Sequence, residues 1–289
     1  MDEVGVKRPP SALLDLACVA LQEDVGRGDV TSRVTVAEES GARARFVTRE
    51  TLVVSGIEAA WAVFFEAGGE EVSFAALASE GDHVSVDTVL AEVEGAAHPI
   101  LAAERVALNL LMRLSGIATL TRRYVKAVEG TGVRVTDTRK TTPGLRLLEK
   151  AAVRAGGGTN HRAGLDDGVL IKDNHLALAD GVTGAVRRAR ASSPHLLKIG
   201  VEVESLQMLE EAIEAGADAV LLDNMTPEEV QEAVRLARKE RPGVLIEVSG
   251  GVNLRIVRSY AEAGPDFISV GALTHSAPAA DISLEVKPC

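Results

Sequence analysis

Charged and polar residues that could do chemistry recur where short apolar strands are predicted to end. The predicted strands cover residues 133–136, 169–172, 198–203, 219–222, 244–248 and 267–270. At or just beyond their ends lie Arg139, Lys140, Lys172, Glu202, Asp223, Ser249, Gly250, Gly251 and Gly271. In barrels of alternating strands and helices, the carboxyl ends of the strands form the active-site face. The pattern therefore predicts a site there, although residues that leave a strand are also often polar for solubility alone.

A basic segment follows the first of these strands. Residues 139–162 contain six Lys and Arg residues and one acidic residue, in a chain whose net charge is −11. This concentration predicts binding of small anions, because guanidinium groups bind planar carboxylates and phosphates through two parallel hydrogen bonds. We assign a function to the basic residues that lie beside glycines in loops, which are Arg139, Lys140, His161 and Arg162. We expect a solvated helix face for Arg146, Lys150 and Arg154.

Two carboxylates are predicted to meet at the mouth of adjacent strands. Glu202 and Asp223 are one strand–helix unit apart, and together they suit Mg²⁺, which prefers oxygen ligands and completes its shell with substrate phosphates. Glu204 shares the strand face of Glu202, so the spacing leaves both open. Simple ion pairing with Lys172 or Lys198 is the alternative.

Two glycine-containing turns follow the last two predicted strands. The segments SGGVN (249–253) and VGALTHSA (270–277) have the small residues that let backbone N–H groups approach a phosphate. His175 and His195 have no carboxylate or nucleophile at a useful spacing, so we expect surface or packing roles for them.

The elements that must position these residues fall into two parts. The first third reads as mixed α and β, and residues 80–95 alternate around a turn at Val86 and Asp87, which resembles the hairpin of biotinyl and lipoyl carrier modules. A long helix begins near His98, with a break expected at Gly116. Short apolar strands then alternate with helices, which predicts parallel strands buried on both faces in a closed or nearly closed barrel.

Composition excludes several classes of protein. A chain of 289 residues with 31 Lys and Arg against 42 Asp and Glu is unsuited to non-specific binding of nucleic acid or of an anionic membrane. Cys18 and Cys289, the two cysteines, support neither a disulfide framework nor a zinc site. The N-terminus lacks the apolar core of a signal peptide, so we expect a cytoplasmic protein.

Several strings resemble the quinolinate phosphoribosyltransferase family of NAD biosynthesis. The longest is DTRKTTPGLRLLEKAAVRAGGGTNHRAGLDDGVLIKDNH (137–175), and the others include EDVGRGDVTS (23–32), ERVALNLLMRLSGIAT (104–119), VEVES (201–205), LLDNM (221–225) and EVSGGVN (247–253). The resemblance runs from about residue 10 to the C-terminus. It implies an open (β/α) barrel at 115–279 and an N-terminal α+β sandwich domain at 1–114 that residues 280–289 complete.

The resemblance also implies roles for individual residues. Quinolinate would be bound by Arg139, His161, Arg162 and Lys172, with Arg105 supplied by the neighbouring chain of at least a homodimer. The phosphates of phosphoribosyl pyrophosphate would be held by Lys140, Ser249, Gly250, Gly251, Gly271 and His275. Glu202 and Asp223 would serve the ribose hydroxyls and Mg²⁺, so the family pattern selects Glu202 over Glu204. Catalytic roles would fall to Lys140, Lys172, Glu202 and Asp223.

The activity implied is the conversion of quinolinate and phosphoribosyl pyrophosphate to nicotinate mononucleotide, pyrophosphate and CO₂. The pyridinium formed on ring-nitrogen attack accepts electrons itself, so the expected cofactor is Mg²⁺ alone. No residue is assigned as the acid that protonates the resulting carbanion.

Three alternatives remain at this stage. A related transferase, including molybdenum-transport-associated homologues or one that prefers nicotinate, would share the fold. A Schiff-base aldolase could use Lys140 or Lys172, but both sit among anion-binding residues instead of a pocket that lowers a lysine pKa. A carrier module needs a lysine at the hairpin tip, and the sequence has none between Lys7 and Lys126.

Overall fold

A computed structural model describes residues 8–289. Within them the chain divides into two compact units. The first unit contains the residues up to Thr119 together with Ala277–Cys289, and the second contains Leu120–Ser276. None of the helices among residues 8–289 has the length and apolarity needed to cross a membrane.

The helices and strands follow in chain order. Up to the long helix, the elements are α1 (Ser11–Val25), α2 (Val30–Thr35), β1 (Gly41–Thr48), β2 (Leu52–Val53), α3 (Ile57–Gly68), β3 (Val72–Ala76), β4 (His83–Val84), β5 (Val89–Ala96) and α4 (Ala97–Ala127). They continue with β6 (Arg134–Thr136), α5 (Arg146–Ala155), β7 (Val169–Ile171), α6 (Asp173–Ala177), α7 (Gly181–Ser192), β8 (Ile199–Val203) and α8 (Leu206–Glu214). The last are β9 (Ala219–Asp223), α9 (Pro227–Glu240), β10 (Leu245–Ser249), α10 (Val257–Glu262), β11 (Phe267–Ser269), α11 (Ala272–His275) and β12 (Ile282–Pro288).

The first unit is built on an antiparallel sheet with the strand order β12-β1-β5-β3. Its inner face packs around Phe46, whose ring meets that of Phe64 edge-on at a centroid distance of 5.9 Å. The last strand, β12, comes from the C-terminus of the chain and pairs with β1 from Ala42 to Thr48. The N-terminal sheet therefore includes the final residues of the protein.

The prediction of a hairpin over residues 80–95 is wrong. β4 pairs with β2 in a separate two-stranded sheet, whereas β5 pairs with β1 and β3. Asp87 does turn the chain between them, with a φ of 61°. The alternating pattern correctly indicated two strands, but each finds its partner elsewhere because the turn sends β5 into the larger sheet.

Helix α4 runs without a break from Ala97 to Ala127, so the expected break at Gly116 is also wrong. A Cβ atom at Gly116 would overlap the backbone carbonyl oxygen of Pro278. Nearby, the N–H of Ala280 donates to the carbonyl of Met112 at 2.9 Å. Gly116 therefore lets the returning C-terminal segment lie directly against the helix.

The second unit contains six parallel strands in the order β6-β11-β10-β9-β8-β7. Helices connect the strands, and α9 begins as expected, with Thr226 and Glu229 forming a reciprocal capping box and Pro227 as its first residue. Among residues 8–289, the two edge strands β6 and β7 do not pair with each other. Besides its pairing with β11, β6 makes one isolated bridge, between Thr136 and Thr159. The sheet is thus the open α/β barrel that the sequence predicted.

Replacing Gly116 by alanine tests the close approach to Pro278. We expect Gly116→Ala to lower the free energy of unfolding by about 2 kcal/mol, because overpacking forces the helix and the C-terminal segment apart. Gly243→Ala is the matched control, since a Cβ atom there meets nothing within 4 Å. Urea denaturation of both variants measures the difference, and equal stabilities would contradict the packing described here.

Candidate active site

A cavity of about 350 Å³ opens where the barrel strands end. Its lining residues are Thr138, Arg139, Lys140, His161, Arg162, Leu170, Lys172, Glu202, Leu221, Asp223, Glu247, Ser249 and Ser269. The parallel strands bring these residues together although they are far apart in the sequence. The cavity thus contains four cationic side chains, three carboxylates and a histidine around two leucines.

Most of the residues expected at the site line this cavity. They are Arg139, Lys140, His161, Arg162, Lys172, Glu202, Asp223 and Ser249. Glu204 is exposed and outside the lining, so the choice of Glu202 agrees with the geometry. His175 and His195 are exposed, as expected. Arg105 belongs to the first unit, where it lies on α4 with an exposed side chain.

The expected phosphate-binding glycines lie in tight turns. A Cβ atom on Gly250, whose φ is 98°, would overlap the side chain of Asn224. Gly251 also has a positive φ, of 62°, with open space beside it. A Cβ atom on Gly271 would lie 3.0 Å from Cδ of Lys140 and 3.2 Å from the ring of His275. Gly271 therefore lets the lysine and the histidine lie against the same turn.

The lysine at the end of β7 is paired with a carboxylate. Nζ of Lys172 lies 2.5 Å from Oε2 of Glu202, and the lysine side chain is 43% exposed. Pairing of Glu202 with a lysine was the alternative to metal binding at the sequence level, and the structure contains that pair. Because Lys172 is partly exposed, a ligand in the cavity can still reach its ammonium group.

Asp223 is the second carboxylate at the mouth. The amide of Asn224 donates to its Oδ2 at 2.7 Å. Burial raises the pKa of Asp223, and the adjacent Glu202 carboxylate raises it further. Two neighbouring carboxylates of this kind suit a divalent cation whose remaining ligands come from elsewhere. No cluster of three or more His, Cys, Asp or Glu side chains able to hold a metal occurs within residues 8–289.

Two arginines provide the strongest anion-binding feature. Nε of Arg139 is buried and has no hydrogen-bond partner among residues 8–289. Nη1 of the neighbouring Arg162 donates to the carbonyl of Gly168 at 2.9 Å. Burial, and then the charge of Arg139, lower the pKa of Arg162. A buried guanidinium donor without a partner is costly, and an anion in the cavity would satisfy it.

Lys150 is not on a solvated surface, so that expectation is wrong. Its side chain is 3% exposed, and its Nζ lies 2.5 Å from Oδ1 of the fully buried Asp137. The ammonium also donates to the carbonyl of His161 at 3.0 Å. The sequence spacing does indicate that Lys150 is buried, because Lys150 lies three residues before the buried Val153 and so shares its helix face.

Asp137 uses its buried carboxylate to hold the loop that carries His161. It accepts the backbone N–H of His161 at 2.8 Å and the side-chain amide of Asn160 at 2.6 Å. The other two basic residues of α5 differ from Lys150. Arg146 is half-buried and contacts Thr141, whereas Arg154 is exposed, as expected.

His161 is held as a neutral ring with a defined tautomer. Its Nδ1 accepts the backbone N–H of Arg162 at 2.8 Å, so a ring proton must lie on Nε2. Burial lowers the pKa of His161 to about 4, and the charge of Lys150 is the next largest cause. The ring therefore presents one N–H donor toward the cavity at neutral pH.

Glu247 lines the cavity but was missed by sequence reasoning. Its Oε2 lies 3.6 Å from Nε2 of His161, and its buried Oε1 has no hydrogen-bond partner among residues 8–289. Burial raises the pKa of Glu247 to about 7. Strand alternation could have identified Glu247 as a cavity residue, because it is two residues before Ser249 and points to the same face of β10.

Fold and cavity together define an open α/β-barrel protein with a cavity rich in charged side chains at the carboxyl ends of its strands. Comparison with known proteins identifies the family. The sequence matches the family models for the quinolinate phosphoribosyl transferase N-terminal domain over residues 29–115 and C-terminal domain over residues 117–285. The chain belongs to the quinolinate phosphoribosyl transferase family.

Individual relatives agree with this assignment over nearly the whole chain. The chain is 44% identical to a Synechocystis protein named "Probable nicotinate-nucleotide pyrophosphorylase (carboxylating)", with 92% of this chain and 90% of the relative covered. It is 42% identical to the nicotinate-nucleotide pyrophosphorylase (carboxylating) of Mycobacterium leprae, over 92% of this chain and 94% of the relative. The structure of the nicotinate-nucleotide pyrophosphorylase from Francisella tularensis matches with a TM-score of 0.89 and 37% identity, covering 99% of this chain and 100% of that one.

Replacing Lys150 by methionine tests the buried ion pair beneath the cavity. We expect Lys150→Met to lower the free energy of unfolding by about 3–5 kcal/mol, because it leaves Asp137 buried without a counter-charge. The double variant Asp137→Asn/Lys150→Met should recover part of that loss. Arg154→Met, on the same helix but exposed, should cost at most about 1 kcal/mol. Equal effects of the two single substitutions in chemical denaturation would show that the pair is unimportant.

Proposed function

We propose that this protein transfers the phosphoribosyl group of phosphoribosyl pyrophosphate to quinolinate, forming nicotinate mononucleotide, pyrophosphate and CO₂. The observation that carries the proposal is the pair of cavity arginines, in which the buried Nε of Arg139 has no partner among residues 8–289. Family membership supplies the substrate class, and the charges in the cavity are consistent with it.

The diacid would be bound by the cationic side of the cavity. Arg139 and Arg162 provide planar donors for carboxylates, and Lys172 adds a partly exposed ammonium. His161 contributes one neutral N–H donor. These groups would orient the ring so that its nitrogen faces the sugar, and holding the two substrates in that arrangement supplies much of the catalysis.

The sugar and its pyrophosphate would occupy the mouth of the cavity. Displacing pyrophosphate builds positive charge at the anomeric carbon, and the carboxylates of Glu202 and Asp223 would stabilise that charge. Lys140, beside the turn of Gly271 and His275, would hold departing phosphate oxygens, as would Ser249 with Gly250 and Gly251. The ring nitrogen forms the new bond to carbon while pyrophosphate leaves with its electron pair.

Glu202 and Asp223 also fit a divalent cation. Two adjacent carboxylates, one with a pKa raised partly by the other, would bind Mg²⁺ together with substrate oxygens. Bound Mg²⁺ would neutralise negative charge on the pyrophosphate leaving group. Displacing Lys172 from Glu202 would then free that lysine for the acid substrate.

We also propose a homodimer or higher oligomer with shared sites, located in the cytoplasm. Arg105 would enter the cavity of a second copy, as the family resemblance implies. An exposed arginine side chain on α4 is available for that contact.

Substrate preference tests the proposed activity. With phosphoribosyl pyrophosphate and Mg²⁺, purified protein should turn over quinolinate with a kcat/KM roughly 100-fold or more above that for nicotinate. Nicotinate has only one carboxylate, so its binding would leave a buried cation without a partner, and this lowers the affinity strongly. Pyrophosphate release measures both reactions, and Arg187→Lys, at an exposed position of α7, serves as a neutral control. Turnover of nicotinate alone would contradict the proposal.

Mixing two inactive variants tests the shared site. Arg105→Ala and Lys172→Ala should each lose activity, whereas a hybrid dimer would contain one intact pocket of two. Random exchange should therefore restore about a quarter of wild-type activity. Mass spectrometry checks that subunits exchange, and a mixture that exchanges without regaining activity rules out a shared site.

A further inference from the structure

Glu247 lies deeper in the cavity than the residues at its mouth. It precedes Ser249 by two residues on β10, which places it about 6.6 Å further down the strand. Ser249 lies beside Asp223, and Glu247 lies beside Leu221 on the adjacent strand. With Leu170 also in the lining, the floor combines apolar side chains with one carboxyl group. A flat pyridine ring could rest on such a floor with one edge toward Glu247.

One oxygen of the Glu247 carboxyl group has no protein partner in the described part of the chain, although the side chain of Ser269 hydrogen-bonds to the group. Its Oε1 has no hydrogen-bond partner within residues 8–289, and its Oε2 is 3.6 Å from Nε2 of His161, beyond hydrogen-bond distance. Lys172, whose charge acts on Glu247, is already paired with Glu202. Oε1 of Glu247 is therefore free to interact with a ligand.

Titratable and polar groups surround Glu247 on the other strands and loops of the cavity. Around the cavity these are Asp137 and Arg139 after β6, His161 and Arg162 in the following loop, Lys172 after β7, Glu202 on β8 and Asp223 on β9, with the hydroxyl of Ser269 on β11. Burial raises the pKa of Glu247 to about 7; a hydrogen bond with the side chain of Ser269 and the charge of Lys172 oppose this rise, whereas Asp137 and Glu202 add to it. Near neutral pH the Glu247 carboxyl group can therefore carry a proton.

The proposed reaction requires a proton after CO₂ is lost. When the carboxylate beside the ring nitrogen leaves, its bonding electron pair stays on the ring carbon. The guanidinium groups of Arg139 and Arg162 are strong donors of hydrogen bonds but do not release a proton in proteins. Among the carboxyl groups of the lining, Glu202 and Asp223 are assigned above to the sugar and Mg²⁺ at the mouth of the cavity, which leaves Glu247 on the floor.

Resting on the function proposed above, we propose that Glu247 is the proton donor to the ring carbon that loses CO₂. The carbon–carboxylate bond breaks, the electron pair remains on the ring carbon, and the O–H bond of Glu247 breaks as the new C–H bond forms. Glu247 becomes a carboxylate and takes a proton from water once the product has left. No oxidant or reductant is involved.

The variant Glu247→Gln tests this role by separating phosphoribosyl transfer from decarboxylation. Single-turnover experiments with Mg²⁺, phosphoribosyl pyrophosphate and carboxyl-labelled quinolinate measure pyrophosphate and CO₂ in the same sample. We expect pyrophosphate release within about threefold of wild type but CO₂ release roughly 100-fold slower, because without a proton donor the ring carbanion recaptures CO₂ before it leaves, and this is the usual size of the loss when a general acid is removed. Quinolinate mononucleotide should then accumulate and be seen by mass spectrometry. Glu210→Gln, on the exposed face of α8, is the matched control.

Two further measurements distinguish proton donation from a structural role. In equal H₂O and D₂O, the hydrogen-to-deuterium ratio at the product ring carbon should differ between wild type and Glu247→Gln, as seen by NMR. In wild type, the CO₂-release rate should fall as the pH rises through about 7, where Glu247 loses its proton, while pyrophosphate release does not follow it. This second measurement serves even where Glu247→Gln fails to fold.

The outcomes separate this inference from the proposed function. Wild-type protein that releases no pyrophosphate from phosphoribosyl pyrophosphate in the presence of quinolinate refutes the function itself. A second outcome refutes only the role of Glu247. In that outcome the wild type is active, and Glu247→Gln releases one CO₂ per pyrophosphate at the wild-type rate with an unchanged isotope ratio. A CO₂-release rate that is flat across neutral pH in the wild type also refutes it.

Discussion

Mutual repulsion among cations is the constraint on which the site depends. A protein with a net charge of −11 brings Arg139, Lys140, Arg162 and Lys172 into one small cavity. Burial lowers the pKa of His161 and of Arg162, and the neighbouring cations lower both further. An anionic ligand would relieve this repulsion, and a ligand with several negative charges would relieve more of it.

The rest of the fold holds these groups in place despite their repulsion. Parallel strands supply one or two residues each at a common edge, which is why groups scattered over more than a hundred positions converge. Below them, the buried pair of Asp137 and Lys150 fixes both the N–H and the carbonyl of His161. The loop that carries two anion-binding side chains is therefore tied to the first barrel strand and to α5.

Sequence reasoning found the strands and most of the cavity because apolar runs and the polar residues after them are local signals. It missed what depends on distant parts of the chain. Gly116 was expected to break a helix, because glycine is unfavourable within helices. The reason for a glycine there is its contact with Pro278, which lies far away in the sequence. Lys150 was placed at the surface because its partner Asp137 lies on another element. Glu247 lies within a strand, and burial of a carboxylate there is decided by the six-stranded sheet as a whole.

The proposed function requires a cavity positive enough to hold a diacid next to an activated sugar. A crystal structure of the protein with bound quinolinate would show whether the cavity holds the diacid in this way. We expect both carboxylates within hydrogen-bonding distance of side chains from the set Arg139, His161, Arg162 and Lys172, with Nε of Arg139 satisfied by one of them. Quinolinate bound elsewhere, or arginines turned to bulk water with the diacid held by aliphatic contacts, would contradict it.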